Sequence, residues 1–510
     1  MTDADPKVPH RGLLTLCVMA ATIMQALDTT IANVALPYMQ GSLSATQDQI
    51  TWVLTSYIVS AAIMMPTTGF FTARFGRKKL LMTSVAGFTI ASGLCGAAQT
   101  LDQIVMFRLL QGVFGAPLVP MSQAILLDSY PREKHGSAMA MWGVGVMVGP
   151  ILGPMLGGYL TEYYNWRWVF YINVPIGIAV TFGLLAVLTE SRIQQLRFDW
   201  FGFLTLSVAV GALQMMLDRG QLVDWFSSLE IVVEATMSAL AFYLFIVHSI
   251  TADKPFIDPQ LFADGNFRMG VVLIFIVGVI LLASVALLTP YLQTLMGYPV
   301  LTAGLVLGPR GGGTMVAMII VGRVIGRVEP RIFIVLGFLL TAFSLHEMTT
   351  FTPDVSMQTL VLNGIVQGSG LGFLFTPLST VTFASLPAQL RTQGTSLFSL
   401  LRNLGSSIGV SVVMFMLERN SQTMHAHLMQ FANPLNHALH APGVSRIWNL
   451  GTLAGRAALD GEIRRQAAIV AYMDNYHLMT FLALAAVPLA LLLKSTKAQG
   501  STSEVAVAME

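Results

Sequence analysis

The sequence predicts an all-α polytopic membrane protein. Three observations carry that class. Of 510 residues, 54% are hydrophobic and 11% charged, where an ordinary soluble domain carries about 25% charged residues; the mean hydropathy is +0.68. The apolar residues gather in runs of roughly 20, the length that a hydrocarbon core of ~30 Å demands. Short strings also recur at a common interval in the two halves of the chain, the mark of an internal repeat.

Fourteen such runs can be traced, at about 13–36, 50–71, 79–98, 104–126, 137–160, 168–188, 199–217, 229–250, 269–292, 302–325, 331–350, 357–381, 394–417 and 477–495. None alternates, and lipid offers no partner to an open strand, so each is read as a helix. The polar stretch Met1 to Arg11 precedes a run too long for a signal-peptide core, so that run is read as a retained span. Cys17 and Cys95 both lie inside runs and give neither a disulfide framework nor a metal spacing. The net charge of +2 and the scattered basic residues give no nucleic-acid face.

Lysines and arginines of the short loops set the orientation. Arg74, Arg77, Lys78, Lys79, Arg132, Lys134, Arg323, Arg327, Arg331 and Arg391 fall on one side. Only Arg167 and Arg219 lie in short loops on the other. Both termini are therefore expected in the cytoplasm. The stretch 418–476 is expected to be one long external loop, with His425, His427, His437 and His440. It reads as a solvated connector or as a docking site for a partner outside the membrane. The spacing of His425 and His427 is poor for a metal pair on a helix, so no metal site is assigned.

Pro37-Tyr38-Met39-Gln40 returns as Pro290-Tyr291-Leu292-Gln293, 253 residues later, and at the same interval Gly69 matches Gly322 and Arg74 matches Arg327. At an interval of 256, Leu110-Gln111-Gly112 resembles Val366-Gln367-Gly368. The common interval implies a parallel repeat over 13–188 and 269–495. The expected division is a six-helix bundle at 1–190, a two-helix insert at 191–267 and a second six-helix bundle at 268–510. The insert is read as a spacer, with Glu234 snorkelling from its span.

Charge inside the spans is scarce and is therefore a functional signal. Asp28 lies two thirds of the way along the first run. Arg108, about one turn inside span 4, is its candidate partner. Burial disfavours a charged carboxylate and a neighbouring guanidinium favours it, so a site balanced between the two can bind and release a proton. Gln25, Asn33 and Gln111 are candidate lining for a cleft beside the pair. Arg310, with Gly311, Gly312 and Gly313 behind it, and Arg402 either bind an anionic substrate or stabilise the second bundle.

Three strings carry more specific information. Gly69-Phe70-Phe71-Thr72-Ala73-Arg74-Phe75-Gly76-Arg77-Lys78-Lys79-Leu80 makes a tight basic turn between spans 2 and 3, with Gly69, Arg74, Gly76 and Arg77 as its candidate gate residues. Gly145, Gly149, Gly153 and Gly157 form a stripe of small residues on span 5 that admits a neighbouring backbone, and Pro150 and Pro154 should bend it. Asn165-Trp166-Arg167-Trp168-Val169-Phe170-Tyr171-Ile172-Asn173-Val174-Pro175-Ile176-Gly177 enters span 6 with an interfacial aromatic cluster.

The basic turn resembles the loop signature of the major facilitator superfamily, and the glycine-proline stripe resembles the antiporter motif of its drug exporters. With Leu27-Asp28-Thr29-Thr30-Ile31-Ala32-Asn33-Val34-Ala35-Leu36-Pro37, these strings look like the fourteen-helix drug:proton antiporters. Leu217-Asp218-Arg219-Gly220, Asp224-Trp225-Phe226-Ser227-Ser228 and the long last external loop are most similar to the EmrB branch. The resemblance implies a major facilitator fold of two six-helix bundles plus two extra central helices. It implies export of hydrophobic or amphipathic toxic compounds from a bacterial inner membrane, driven by the proton gradient without a cofactor. It also implies a periplasmic adaptor and an outer-membrane channel as partners. Ala73 stands where the loop signature usually has Asp, which removes the acid of that family's gate. The alternatives are a proton-coupled uptake carrier, against which the glycine-proline stripe argues, and an exporter of one metabolite such as a fatty acid. A membrane enzyme finds no nucleophile constellation, phosphate loop or metal cluster in the sequence.

Overall fold

The computed structural model describes residues 10–191, 193, 197–433, 436–441 and 443–494; both chain termini lie outside them. The long helices are, in order, α1 (Arg11–Ser42), α2 (Asp48–Phe75), α3 (Arg77–Ala97), α4 (Leu101–Ser129), α5 (His135–Tyr163), α6 (Trp168–Val187), α7 (Trp200–Arg219), α8 (Leu229–Thr251), α9 (Gly265–Leu295), α10 (Thr302–Val324), α11 (Pro330–Met348), α12 (Met357–Ala384) and α13 (Ala388–Met429), then α14 (Leu453–Leu491). By length and composition thirteen of these, α1 to α13, can cross a membrane. The fourteenth expected run is the second half of α14, where Asp474, Asn475 and His477 dilute its apolar character. No strand occurs among the described residues.

The expected loop at 418–476 is not a loop. The helix α13 runs for 42 residues and α14 for 39, which at 1.5 Å per residue is about 63 and 58 Å, twice the hydrocarbon thickness. Only about 430–452 joins them. The two overhangs are pinned to each other where His425 Nε2 meets Asp460 Oδ1 at 2.8 Å, and Arg464 closes on the other oxygen of Asp460 at 2.9 Å. His425 is thus spent on a carboxylate and not on His427.

Packing repeats as the strings do. In the first bundle α1 lies along α5, α2 along α4, and α3 against both α4 and α6; in the second, α9 lies along α13, α10 along α12, and α11 against both α12 and α14. The glycine stripe explains the first of these contacts. A Cβ on Gly149 would stand 2.4 Å from the carbonyl of Ala26, and one on Gly153 would stand 2.1 Å from Thr30 Oγ1. The stripe therefore faces α1, and it is the seam along which α5 meets the helix that carries Asp28. In the second bundle Gly405 and Gly409 meet the carbonyls of Phe275 and Val279 on α9 in the same way. The side chains of Pro150 and Pro154 lie outside the described residues, and α5 continues as helix through both positions.

Two glycine contacts join the bundles at the basic end. Gly69 of α2 abuts Gln393 of α13, and Gly322 of α10 abuts Ala140 of α5. Gly69 and Gly322 are the repeat pair read from the sequence, and their partners Ala140 and Gln393 stand at the same interval. The insert touches both bundles: α7 sets Gly211 against Ile63 of α2, Asp218 accepts from Thr55 of α2, and the Leu217 carbonyl accepts from Ser411 of α13 at 2.8 Å. Glu234 does not snorkel; it is buried, with Oε2 unbonded.

Adding a side chain to the stripe should separate α1 from α5. Gly149→Val is expected to lower stability by about 1–3 kcal/mol through overpacking, read as an earlier thermal aggregation midpoint of the purified protein. Gly158→Val, beside open space, is expected to leave that midpoint unchanged.

Candidate functional site

The contact between α1 and α5 presents Asp28 to the middle of the first bundle, where it is fully buried (0% exposed) and Arg108 nearly so (1%). Arg108 Nη1 donates to Asp28 Oδ2 at 2.6 Å. The other oxygen, Oδ1, accepts from Gln111 Nε2 at 2.8 Å and from Asn173 Nδ2 at 3.0 Å. Arg108 and Gln111 are one turn apart on α4, so one helix face carries both, and Arg108 Nη1 also donates to Gln111 Oε1 at 2.7 Å.

The arginine is held on its other sides. Its Nε donates to the Val53 carbonyl of α2 at 3.0 Å, and the guanidinium carbon lies 4.3 Å from the centre of the Tyr57 ring, where the π-face attracts a cation. Gly112 makes room for this approach, since a Cβ there would strike Ser60 Oγ and the Tyr57 carbonyl. Asn173 is oriented through Ser92 Oγ at 3.0 Å, which in turn donates to the Phe170 carbonyl at 2.9 Å. Four helices, α1, α3, α4 and α6, each supply a side chain, and α2 supplies a carbonyl and a ring. The carboxylate has a charged donor on Oδ2, two neutral donors on Oδ1 and no water-facing edge. A proton placed on it would remove an acceptor that Arg108 needs.

The remaining sequence candidates fall elsewhere. Gln25 donates to the Tyr57 hydroxyl at 3.1 Å and so braces the ring under Arg108 without touching Asp28. Gln111 is a fully buried ligand of Asp28, not a residue lining open space. Asn33 is exposed and its amide reaches only the Thr29 carbonyl of its own helix, at 3.5 Å. Arg310 and Arg402 belong to the second bundle and do not meet Asp28. A separate apolar cavity of about 360 Å³ lies between α1, α5 and α10 toward the basic end, with Arg323 at its wall.

The basic turn is closed by a charge cluster. Gly76 adopts φ +89°, which lets the chain turn from α2 into α3. Arg77 Nη2 then pairs with Asp128 of α4 at 2.5 Å, and Arg391 of α13 pairs with the other oxygen of the same carboxylate. Thr395 of α13 donates to the Pro120 carbonyl at 3.0 Å. One acid thus ties an arginine of each bundle, and the loop position Ala73 is not needed for it. Arg74 is exposed and stands apart from this cluster.

Residues 18–410 match the family model described as Major Facilitator Superfamily. The chain belongs to the major facilitator superfamily. It is 38% identical to the multidrug export protein EmrB of Haemophilus influenzae, over 83% of this chain and 84% of that one. It is 36% identical to the fatty acid resistance protein FarB of Neisseria gonorrhoeae, over 84% and 85%. The solved proton:xylose symporter XylE has the same fold, with a TM-score of 0.60 at 13% identity over 95% of this chain and 99% of that one. As a superfamily member the chain is a multi-pass membrane transporter.

For this superfamily chain, the sequence missed Asn173, Ser92, Asp128 and Arg391. Asn173 stands in the quoted aromatic string, the one polar side chain past its interfacial rings, and that position was its signal. Arg391 read only as one of the loop charges that set the orientation, Asp128 carried no signal, and nothing local pairs residues so distant in the chain.

Removing the shared carboxylate should loosen the basic end. Hydrogen bonds to charged groups are worth ~1.5–3 kcal/mol each, so Asp128→Ala is expected to speed maleimide labelling of a cysteine at position 395 roughly tenfold or more. An unchanged labelling rate would show that the cluster does not hold the bundles together.

Proposed function

We propose that this transporter exports hydrophobic and amphipathic toxic compounds across a bacterial inner membrane in exchange for protons. On this reading the basic end and both termini face the cytoplasm. The chain works with a periplasmic adaptor and an outer-membrane channel, and the helical overhang of α13 and α14 is the element that reaches toward them. The relatives named as multidrug export proteins support the export direction. The observation that carries the coupling is the dry Asp28–Arg108–Gln111–Asn173 cluster.

The cluster suits a proton carrier for a physical reason. Ionised, Asp28 is fully matched and ties α1 to α4 and α6. Protonated, it leaves Arg108 without its counter-charge, and a buried ion left unpaired is strongly destabilising, by about 3–5 kcal/mol. The two protonation states therefore prefer different helix arrangements, and a proton biases which one is populated. Substrate competing for one of these arrangements makes the exchange obligatory. Each proton entering down an inside-negative potential of ~100 mV contributes ~2.3 kcal/mol electrically.

Asp28→Asn keeps the shape and removes the titrating group. The variant is expected to insert at normal levels and to lose pH-driven substrate exchange in proteoliposomes, to below about a tenth of the native rate. Exchange that still follows the pH gradient would remove Asp28 from the coupling.

A further inference from the structure

The repeat sets the second bundle beside the first, and the comparison exposes a missing charge. At the interval of 253 residues that relates α1 to α9, Leu281 stands where Asp28 does, with Ser284 one turn on; at the interval of 256 that relates α4 to α12, Gln367 stands where Gln111 does and Gly364 where Arg108 does. The arginine is nonetheless present. Arg310 arrives from α10 and takes the space beside Gly364, whose added Cβ would lie 3.7 Å from that of Arg310. Gly368 lets α12 close on the Arg310 carbonyl, where a Cβ would come within 1.9 Å.

Arg310 is 7% exposed. Its Nη2 donates to Ser284 Oγ at 2.9 Å and to the Leu281 carbonyl at 3.2 Å. Its Nη1 is buried and bonds nothing, and among the described residues no carboxylate pairs with it. Gln367 is fully buried with both amide atoms unbonded; it shares a face of α12 with Gly364 and Gly368, which both touch Arg310. The hydroxyl of Tyr476, from α14, is buried and unbonded, and lies close enough to Arg310 to interact with its charge. Arg402 adds a second cation with no carboxylate partner among the described residues, its Nη2 reaching Asn403 Oδ1 at 3.4 Å. The nearest acid on α11, Glu347, accepts from Asn363 and forms no ion pair with either arginine.

We propose that Arg310, Ser284, Gln367 and Tyr476 form a subsite for one negatively charged head group, the carboxylate of an amphipathic substrate. In the first bundle the protein supplies the anion, Asp28. In the second it supplies the donors and leaves the anion's place to the cargo. An unpaired buried cation beside unbonded donors is unfavourable until an anion joins it. A neutral head group does not neutralise the charge and a cationic one is repelled. The seam between the bundles gives access: Gly311, the next residue on α10, packs on Ile151 of α5, so any rocking of the bundles opens beside Arg310. The consequence for transport is electrical. An anion leaving while a proton enters moves charge in the same sense twice, so export of such a substrate is electrogenic.

This subsite rests on the export reading for its purpose, but its test needs no gradient. Equilibrium binding to the purified full chain in detergent compares dodecanoate with dodecanol, which share a chain and differ in charge. The readout is the ratio of the two affinities. Arg310→Gln is expected to lower the carboxylate preference at least tenfold, and Arg310→Lys to keep most of it. Ser284→Asp, which installs beside Arg310 the acid that the first bundle has, is expected to lower the preference as far as Arg310→Gln does. A ratio unchanged in Ser284→Asp, or equal loss of both probes in Arg310→Gln with that ratio intact, makes Arg310 a packing residue and overturns the proposal. Displacement of dodecanoate by chloride down to the level of dodecanol overturns it in favour of an inorganic anion. If Asp28→Asn abolishes exchange while these ratios do not move, only the subsite fails. If the ratios move and exchange survives in Asp28→Asn, only the coupling reading fails.

Discussion

A carboxylate sealed from water must find its donors within the protein, and the arrangement of the first bundle follows from that requirement. Asp28 is satisfied by Arg108 and Gln111 of α4 and by Asn173 of α6. Arg108 is completed by a carbonyl and a ring of α2. Each contact demands a backbone placed to within a few tenths of an ångström, and glycines make those placements available. Gly149 and Gly153 bring α5 onto α1, and Gly112 brings α4 onto α2. The stripe that reads as an antiporter signature is thus a packing device. It sets the depth and rotation of the helix that carries the acid.

The second bundle has the same frame with different occupants. The pairing of α9 with α13 repeats that of α1 with α5, down to glycines against carbonyls. At the polar centre the symmetry stops: one bundle is internally neutral and the other holds two cations. Duplicated frames hold geometry constant while residue identity drifts, so function divides between halves without rebuilding either. The pseudo-symmetric contacts of Gly69 and Gly322 place both bundle-to-bundle closures at one end, and Asp128 adds a charge lock between α4 and α13 there.

Much of this was readable beforehand for physical reasons. Asp28 and Arg108 stood out because charge in an apolar run has few innocent explanations, whereas Gln111 read only as cleft lining and is instead a ligand of Asp28. The repeat was visible because strings at helix ends carry unusual residues. What escaped notice lacked a local signature. Asparagine at the mouth of a span is common, so Asn173 looked interfacial. Asp128 and Arg391 gain meaning only when two bundles meet. The overhangs of α13 and α14 are polar helices, and hydropathy cannot separate those from a loop. Ala73 leaves the loop without the signature's acid, and the Asp128 pairing beside it had no counterpart in the spacing of that loop. Gln25 and Arg108 connect only through Tyr57, a link that exists in space and not in spacing.

The unbroken length of α13 has a mechanical meaning. Its first turns carry Arg391, locked to Asp128 at the basic end, its middle carries Arg402, and its last turns are pinned to α14 through His425. A rigid rod of about 63 Å displaces its tip by about 1 Å for every degree it tilts. A change of lock at one face of the membrane is therefore delivered, within the same helix, as a stroke at the other.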